Sequence, residues 1–327
     1  MVFDGISLVT GAAGFMGSHV VERLVQQGVR VRATARPRKD TAFFDRLGVE
    51  YVGADLTRPE TLPPLFQGNV DRVFHLGAIC NFSTPYKKLH PTNVGGVKAL
   101  SGLALEKGVR RFVHVTSTSV YGKYRGRPFK EEDPREPCNA YGLSKKNGED
   151  IIFGRVKEGL PAIIARPCAV YGPRCNDGAG KVFSRPSSIG AIPGSGRQRL
   201  SNIRAEDVAA ALLHLSALED AWGEAYNLAE DAFPTLEEAL VTAARTFGTR
   251  PPAMHLPLPI VRIAARIGGF FAGLAGRIPD LEYDATGFLY DDYIVDNTKL
   301  KGTGFEMQFP DFTESMKQMQ AWYRTTL

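Results

Sequence analysis

The chain has 327 residues, of which 43% are hydrophobic and 23% charged, with four cysteines. These proportions exclude a disordered chain, a collagen-like repeat and a small disulfide scaffold, and the length suits one large or two closely joined domains with a full apolar core. The 40 basic and 35 acidic residues leave a net charge of +5, but Lys and Arg are scattered without a run of five, so the excess does not describe a nucleic-acid surface.

Ile6–Val9 reads as a strand that enters the turn Gly11-Ala12-Ala13-Gly14-Phe15-Met16-Gly17, and a helical pattern follows from Ser18 to Gln27. Glycines in such a turn let the backbone approach a pyrophosphate lying at a helix N-terminus. Gly11, Gly14, Phe15, Met16 and Gly17 are therefore candidate dinucleotide contacts. A second strand, Val29–Thr34, leads to Ala35, and no carboxylate occurs between Gly28 and Arg38 to hold a ribose 2′-hydroxyl. Arg36, Arg38 and Lys39 cluster there instead, which predicts NADP over NAD, with a solvated basic loop as the other reading.

Further strands are expected at Val49–Val52, Asp71–His75, Arg111–Thr116 and Ala162–Ala165, with helices over Val94–Lys107 and Tyr141–Lys157. That alternation predicts an α/β fold with a doubly wound parallel sheet. Residues 174–200 are rich in Gly, Pro and Ser and predict a long substrate-side loop. Helical patterns return at Glu206–Leu218, Thr235–Phe247, Ile260–Ala275 and Thr313–Tyr323. The expected division is a nucleotide domain over 1–173 and a smaller, mainly helical substrate lobe over 174–327, interleaved because the 206–218 helix packs on the sheet.

Leu256–Ile278 is the most apolar stretch, but Pro257, Pro259, Arg262 and Arg266 interrupt it, so it does not read as a bilayer span. Ile263, Ile267, Phe270, Phe271 and Leu274 recur at helical spacing and predict a helix packed on the protein's own core. A lid over an apolar substrate and a surface touching a membrane are the two sharper readings. The opening Met1–Gly5 has neither the basic nor the apolar stretch of a secretory leader, and Cys80, Cys138, Cys168 and Cys175 show no metal-like or paired spacing. Reduced thiols in a cytoplasmic protein without a bound metal are expected.

Tyr141-Gly142-Leu143-Ser144-Lys145 places a phenol and an ammonium one helical turn apart. A nearby cation favours phenolate, so Lys145 is expected to lower the Tyr141 pKa and make it an acid/base for alcohol–ketone interconversion. Thr116-Ser117-Thr118-Ser119 ends the fifth strand, at the carboxyl edge where doubly wound sheets bind ligands.

Together these residues resemble the extended short-chain dehydrogenase/reductase family, whose members share a Rossmann sheet. The resemblance includes Asp55-Leu56, His75-Leu76-Gly77-Ala78, Asn93-Val94 with Gly96, and Arg166-Pro167 followed by Tyr171-Gly172-Pro173. It implies that Tyr141 is the acid/base, Lys145 tunes it and holds the nicotinamide ribose, and Ser117 holds the substrate oxygen. Asn93 either steadies the loop around Ser117 or carries a water in a proton relay. Asp55, Leu56, Leu76, Gly77, Ala78 and Pro167 are implied cofactor contacts, and homodimerisation through the helices of the fourth and fifth βα units is the family habit. His75 is expected in a structural or ribose-side role, and Cys80 as a buried inert thiol or a substrate contact.

Nucleotide-sugar members carry Asn where this chain has Ala169, and an Arg where the aligned run reads Leu200-Ser201-Asn202-Ile203, with Arg199 one residue away. Dehydratases carry Asp-Glu where Thr118-Ser119 stand. The apolar 256–278 stretch, Phe288-Leu289-Tyr290 and Asp296 resemble the 3β-hydroxysteroid dehydrogenase branch, and Val31–Arg36 resembles the dihydroflavonol-reductase branch. Both imply an apolar, sterol-like or polycyclic alcohol or ketone as substrate, touching Cys80, Ser117, Thr118, Cys168 and Ala169. A nucleotide-sugar epimerase or dehydratase with tightly held NAD is the alternative.

Overall fold

The computed structural model describes residues 4–37, 40–175, 183, 190–275, 279 and 281–326, with side chains to 322. In chain order the elements are β1 (Ile6–Thr10), α1 (Phe15–Gln26), β2 (Val31–Thr34), α2 (Ala42–Arg46), β3 (Glu50–Tyr51), β4 (Val70–His75), α3 (Tyr86–His90), α4 (Val97–Glu106), β5 (Arg111–Val115), α5 (Ala140–Lys157) and β6 (Ala162–Pro167). They continue with β7 (Ala169–Tyr171), β8 (Ile192–Pro193), β9 (Asn202–Arg204), α6 (Ala205–Ala217), β10 (Ala225–Leu228), α7 (Leu236–Thr246), β11 (His255–Leu256), α8 (Leu258–Leu274), α9 (Thr298–Lys301) and α10 (Phe312–Thr326).

Seven strands form one sheet in the order β10-β6-β5-β4-β1-β2-β3, all pairs parallel. Side chains alternate across a strand, so Val9, Phe74, Val113 and Ile163 face one apolar layer with Val20, Leu24, Val208 and Leu212 of α1 and α6. Leu8, Val73, Phe112 and Ile164 face the other, with Leu100 and Ala104 of α4 and Ile152 of α5. The chain reverses direction across the sheet between β1 and β4, which opens a crevice at their carboxyl ends. A smaller apolar cluster joins Tyr171, Ile192, Leu236, Leu240, Phe312 and Met316.

Several expectations require correction. β2 begins at Val31, because Gly28 turns with φ +71° and the Val29 amide still bonds back to Leu24. β3 is two residues long. A seventh strand, β10, was unexpected; it pairs with β6 inside the region read as a helical lobe. The helix expected from Val94 begins earlier, at Tyr86, and passes through a π turn at Pro91–Gly96 before α4. Of the long loop at 174–200, β8 pairs with β11, and much of the remainder lies outside the described residues.

Candidate active site

The nucleotide cradle starts where β1 ends. Gly11 has φ +67° and lies against the Leu76–Gly77 backbone so closely that a Cβ would stand 2.8 Å from the Gly77 nitrogen. A Cβ on Gly17 would meet the Gly11 carbonyl at 2.1 Å, so both positions require glycine for the strand, turn and helix to pack together. Gly14 caps α1 without any side-chain partner, and the first turn contains no acidic residue. The leading amides, those of Phe15, Met16 and Gly17, are thus offered to an anion at the positive end of the helix. These features fit a dinucleotide pyrophosphate.

Around this cradle, Leu56 is wedged between the places a side chain would occupy at Gly77 and Gly96, with Cβ approaches of 2.7 and 2.8 Å. The Gly77 amide donates to Thr10 Oγ1 at 3.1 Å. Asp55 accepts from the Thr57 amide and hydroxyl at 2.9 and 2.8 Å, bonds that draw its pKa below the usual carboxylate range, with Arg36 adding to the effect. Arg36 is exposed just beyond β2 and close enough to Asp55 to influence it. Arg38 and Lys39 lie outside the described residues. Ala78 follows Gly77 at the crevice, and Pro167 ends β6 in register with Leu228 of β10.

The catalytic candidates meet because α5 starts against the end of β5. Asn139 caps the helix, its Oδ1 accepting from the Gly142 amide at 2.8 Å. A Cβ on Gly142 would stand 2.5 Å from the Ser119 carbonyl oxygen, so the missing side chain lets α5 seat directly on the Ser117–Val120 turn. Tyr141 consequently faces Ser117 and Cys80, both of which act on its hydroxyl. Ser117 Oγ also bonds Ser119 Oγ at 3.0 Å. Lys145 Nζ donates to the Val115 carbonyl at 3.0 Å and lies 5.9 Å from the centre of the Tyr141 ring.

The electrostatics differ from expectation. Burial, followed by the Cys80 thiol, holds the Tyr141 phenol well above its usual pKa, while the bond with Ser117 draws it down. Burial also lowers Lys145 to about 8. Desolvation outweighs any pull of Lys145 on the phenol, because removing water penalises the charged form of both groups. His75 is buried, shares a 2.7 Å hydrogen bond with Thr10 Oγ1, and stacks on His114 with ring centres 5.2 Å apart. Burial brings His75 down to about 3 and His114 well below its usual value.

Asn93 does not hold the Ser117 loop. Its side chain clamps both backbone groups of Ile79, accepting from the amide at 2.8 Å and donating to the carbonyl at 3.0 Å, and donates to Ser144 Oγ of α5 at 3.0 Å. It thereby fixes the loop that carries Cys80 relative to α5. Cys80 is exposed rather than buried, and its thiol acts on Tyr141. Thr118 and Cys168 are almost wholly buried. The Thr118 carbonyl accepts from Tyr293 at 2.6 Å, so these two residues back the wall of the site more than they line it. Ala169 lies half-buried on β7.

Three features went unread in the sequence. Phe82 packs edge-on against Tyr141 at 5.0 Å, Phe288 against Phe82 at 5.6 Å, and Tyr293 against Phe288 at 4.9 Å. This aromatic wall beside Tyr141 joins segments distant in sequence. Glu282 accepts from the Ser83 amide at 2.7 Å, is raised by burial, and acts electrostatically on Tyr141. Glu149, one turn beyond Lys145, accepts from Thr116 at 2.6 Å, from Arg135 at 3.0 Å and from Arg166 at 2.9 and 2.8 Å. Its spacing in Tyr-x-x-x-Lys-x-x-x-Glu was the available signal. Among the described residues no group of His, Cys, Asp and Glu is arranged to hold a metal.

The model of the NAD dependent epimerase/dehydratase family matches residues 7–229. A farnesyl-dihydroquinoline-oxide ketoreductase of Stigmatella aurantiaca is 26% identical, over 80% of this chain and 79% of its own. A ceramide reductase of Caulobacter vibrioides is 29% identical, over 80% of this chain and 77% of its own. The structure of a UDP-glucose 4-epimerase from Thermotoga maritima, 23% identical, superposes with a TM-score of 0.79 over 98% of this chain and 99% of that one, a likeness of fold. With its seven-stranded parallel sheet, glycine cradle and family match in agreement, the chain belongs to the NAD-dependent epimerase/dehydratase family.

Proposed function

We propose that this protein is an NADP(H)-dependent oxidoreductase that interconverts a secondary alcohol and a ketone on an apolar, sterol-like or polycyclic substrate. The observation that carries this reading is the Tyr141–Ser117 pair set against the aromatic wall of Phe82, Phe288 and Tyr293. When bound, the nicotinamide exchanges the hydride. In ketone reduction, Ser117 donates a hydrogen bond to the substrate oxygen and Tyr141 Oη gives that oxygen its proton. Lys145, one turn along α5, would hold the nicotinamide ribose and restore the proton to Tyr141. Flat rings would bury apolar area against the wall and find near-neutral surface at Ala169. The phosphate-binding reading of Arg36 rests on its exposure past β2, with Asp55 the carboxylate within its electrostatic reach.

A nucleotide-sugar is less well served. Arg199, one residue from the place where sugar enzymes carry an Arg, is committed to Asp292 at 2.7 and 3.1 Å. Ala169 offers no side-chain polar group. The two ketone- or lipid-reducing relatives support the same reading. Four cysteines without paired spacing further suggest the cytoplasm. Thermal unfolding with NADP, NAD, a polycyclic ketone and a UDP-sugar tests the proposal. NADP and the ketone are expected to raise the Tm, because a ligand that binds the folded state stabilises it. Stabilisation by NAD and the UDP-sugar alone would overturn it.

A further inference from the structure

Helix α8 corrects one expectation from the sequence: its large apolar side chains do not pack on the core. Only Val261 and Ala265 are buried along it, and Gly269 and Ala272 on the same side are partly covered. Ile260, Ile263, Ile267, Phe270, Phe271 and Leu274 are between 52% and 72% exposed. On a helical projection these six fall within an arc of about 100°, centred opposite the buried side. The helix thus turns Val261 and Ala265 to the protein and these six large apolar side chains to the outside. Single exposed hydrophobics need no explanation, whereas a contiguous stripe of this size marks an interaction surface. Met254, just upstream, is 58% exposed as well.

The charges around the stripe specify its partner. Arg250, Arg262 and Arg266 occur between residues 250 and 275, with no Asp or Glu among them. Arg262 anchors the helix, donating to Tyr283 Oη at 2.6 Å. Arg250 and Arg266 are exposed, and Arg266 flanks the apolar arc. An outward apolar face flanked by an exposed cation, on a segment that carries no acid, is the pattern of a helix lying in a membrane interface, with its side chains among acyl chains and its cation at anionic headgroups. No helix among the described residues is long and apolar enough to cross a membrane. We propose that α8 docks this protein on the surface of an anionic lipid bilayer, its apolar stripe inserted at the headgroup boundary and Arg266 at headgroup level. The inference stands on α8 alone and does not depend on the proposed reaction. The helix nonetheless packs on the 284–289 turn, which carries the Phe288 of the aromatic wall, so the docked face adjoins the active site.

The test is co-sedimentation of the full chain with vesicles of phosphatidylcholine, alone or with one-third phosphatidylglycerol. Binding is expected to the anionic vesicles, weaker to the neutral ones, and reduced by salt. The Phe270→Ser/Phe271→Ser double variant, altered outside the core, is expected to keep its Tm and lose about a hundredfold in partitioning. Arg266→Glu is expected to weaken binding to anionic vesicles alone. No binding of the wild type to anionic vesicles, or undiminished binding of the double variant, would overturn the proposal. So would a wild-type dimer in light scattering that the double variant splits while vesicles leave the wild type in the supernatant, an outcome that assigns the stripe to a second copy of the chain.

Discussion

Tyr141 and Lys145 sit one helical turn apart, and burial drives both toward their neutral forms, the phenol upward and the ammonium down to about 8. A neutral phenol is the proton-giving form, which is the form the proposed ketone reduction uses. At the other end of the crevice, Arg36 stands beyond β2 where a carboxylate would select NAD. Arg36→Ala is expected to raise the KM for NADPH by roughly tenfold, the value of one exposed charge-assisted hydrogen bond, and to leave the KM for NADH nearly unchanged. Steady-state kinetics with both cofactors check this. Equal losses with the two would show that Arg36 does not meet a 2′-phosphate.

Gly142 sets the geometry of the site through the seating of α5. With a Cβ, the helix would have to retreat from the Ser119 carbonyl, a backbone atom that cannot rotate away. Gly142→Ala is expected to cost about 1–3 kcal/mol of stability and to lower kcat by separating Tyr141 from Ser117. A Tm and a rate both equal to wild type would contradict this account of the helix start. The elements that were legible in the sequence, β1, β4, β5, β6 and α5, are those whose local pattern and tertiary role coincide. β10 was hidden because Ala225-Tyr226-Asn227-Leu228 acquires its strand character from pairing with β6, and its central Asn227 is buried through bonds to Tyr121 and Phe129. The periodicity of α8 gave its apolar stripe but carried no information on which way the stripe faces. The motif residues of the site were readable one by one, whereas the aromatic wall and Glu282 arise from loops that only the fold brings together.

Across the whole molecule, His19, His75 and His114 are buried and held below their usual pKa by desolvation. The unfolded chain takes up protons at these groups below about pH 6.5, whereas folded His75 does so only near 3. In that window the unfolded state binds more protons, so stability falls as the pH drops, by up to about 1.4 kcal/mol per pH unit for each histidine. Glu230, raised by burial to about 8, acts in the opposite sense: its folded-state proton adds stability that is lost as the pH rises from its unfolded value through 8. That contribution is common to wild type and to His114→Phe. The variant is therefore expected to lose less Tm than wild type between about pH 7 and pH 5, and parallel curves would contradict the burial of a neutral His114.

The central claim, ketone reduction with NADPH by Tyr141 in an apolar site, is tested most directly by following NADPH absorbance with a polycyclic or sterol ketone. The account predicts steady turnover by the wild-type chain and a loss of about 10²- to 10⁴-fold in kcat for Tyr141→Phe. No turnover with any such ketone, together with epimerisation of a UDP-sugar without net NADPH consumption, would contradict it.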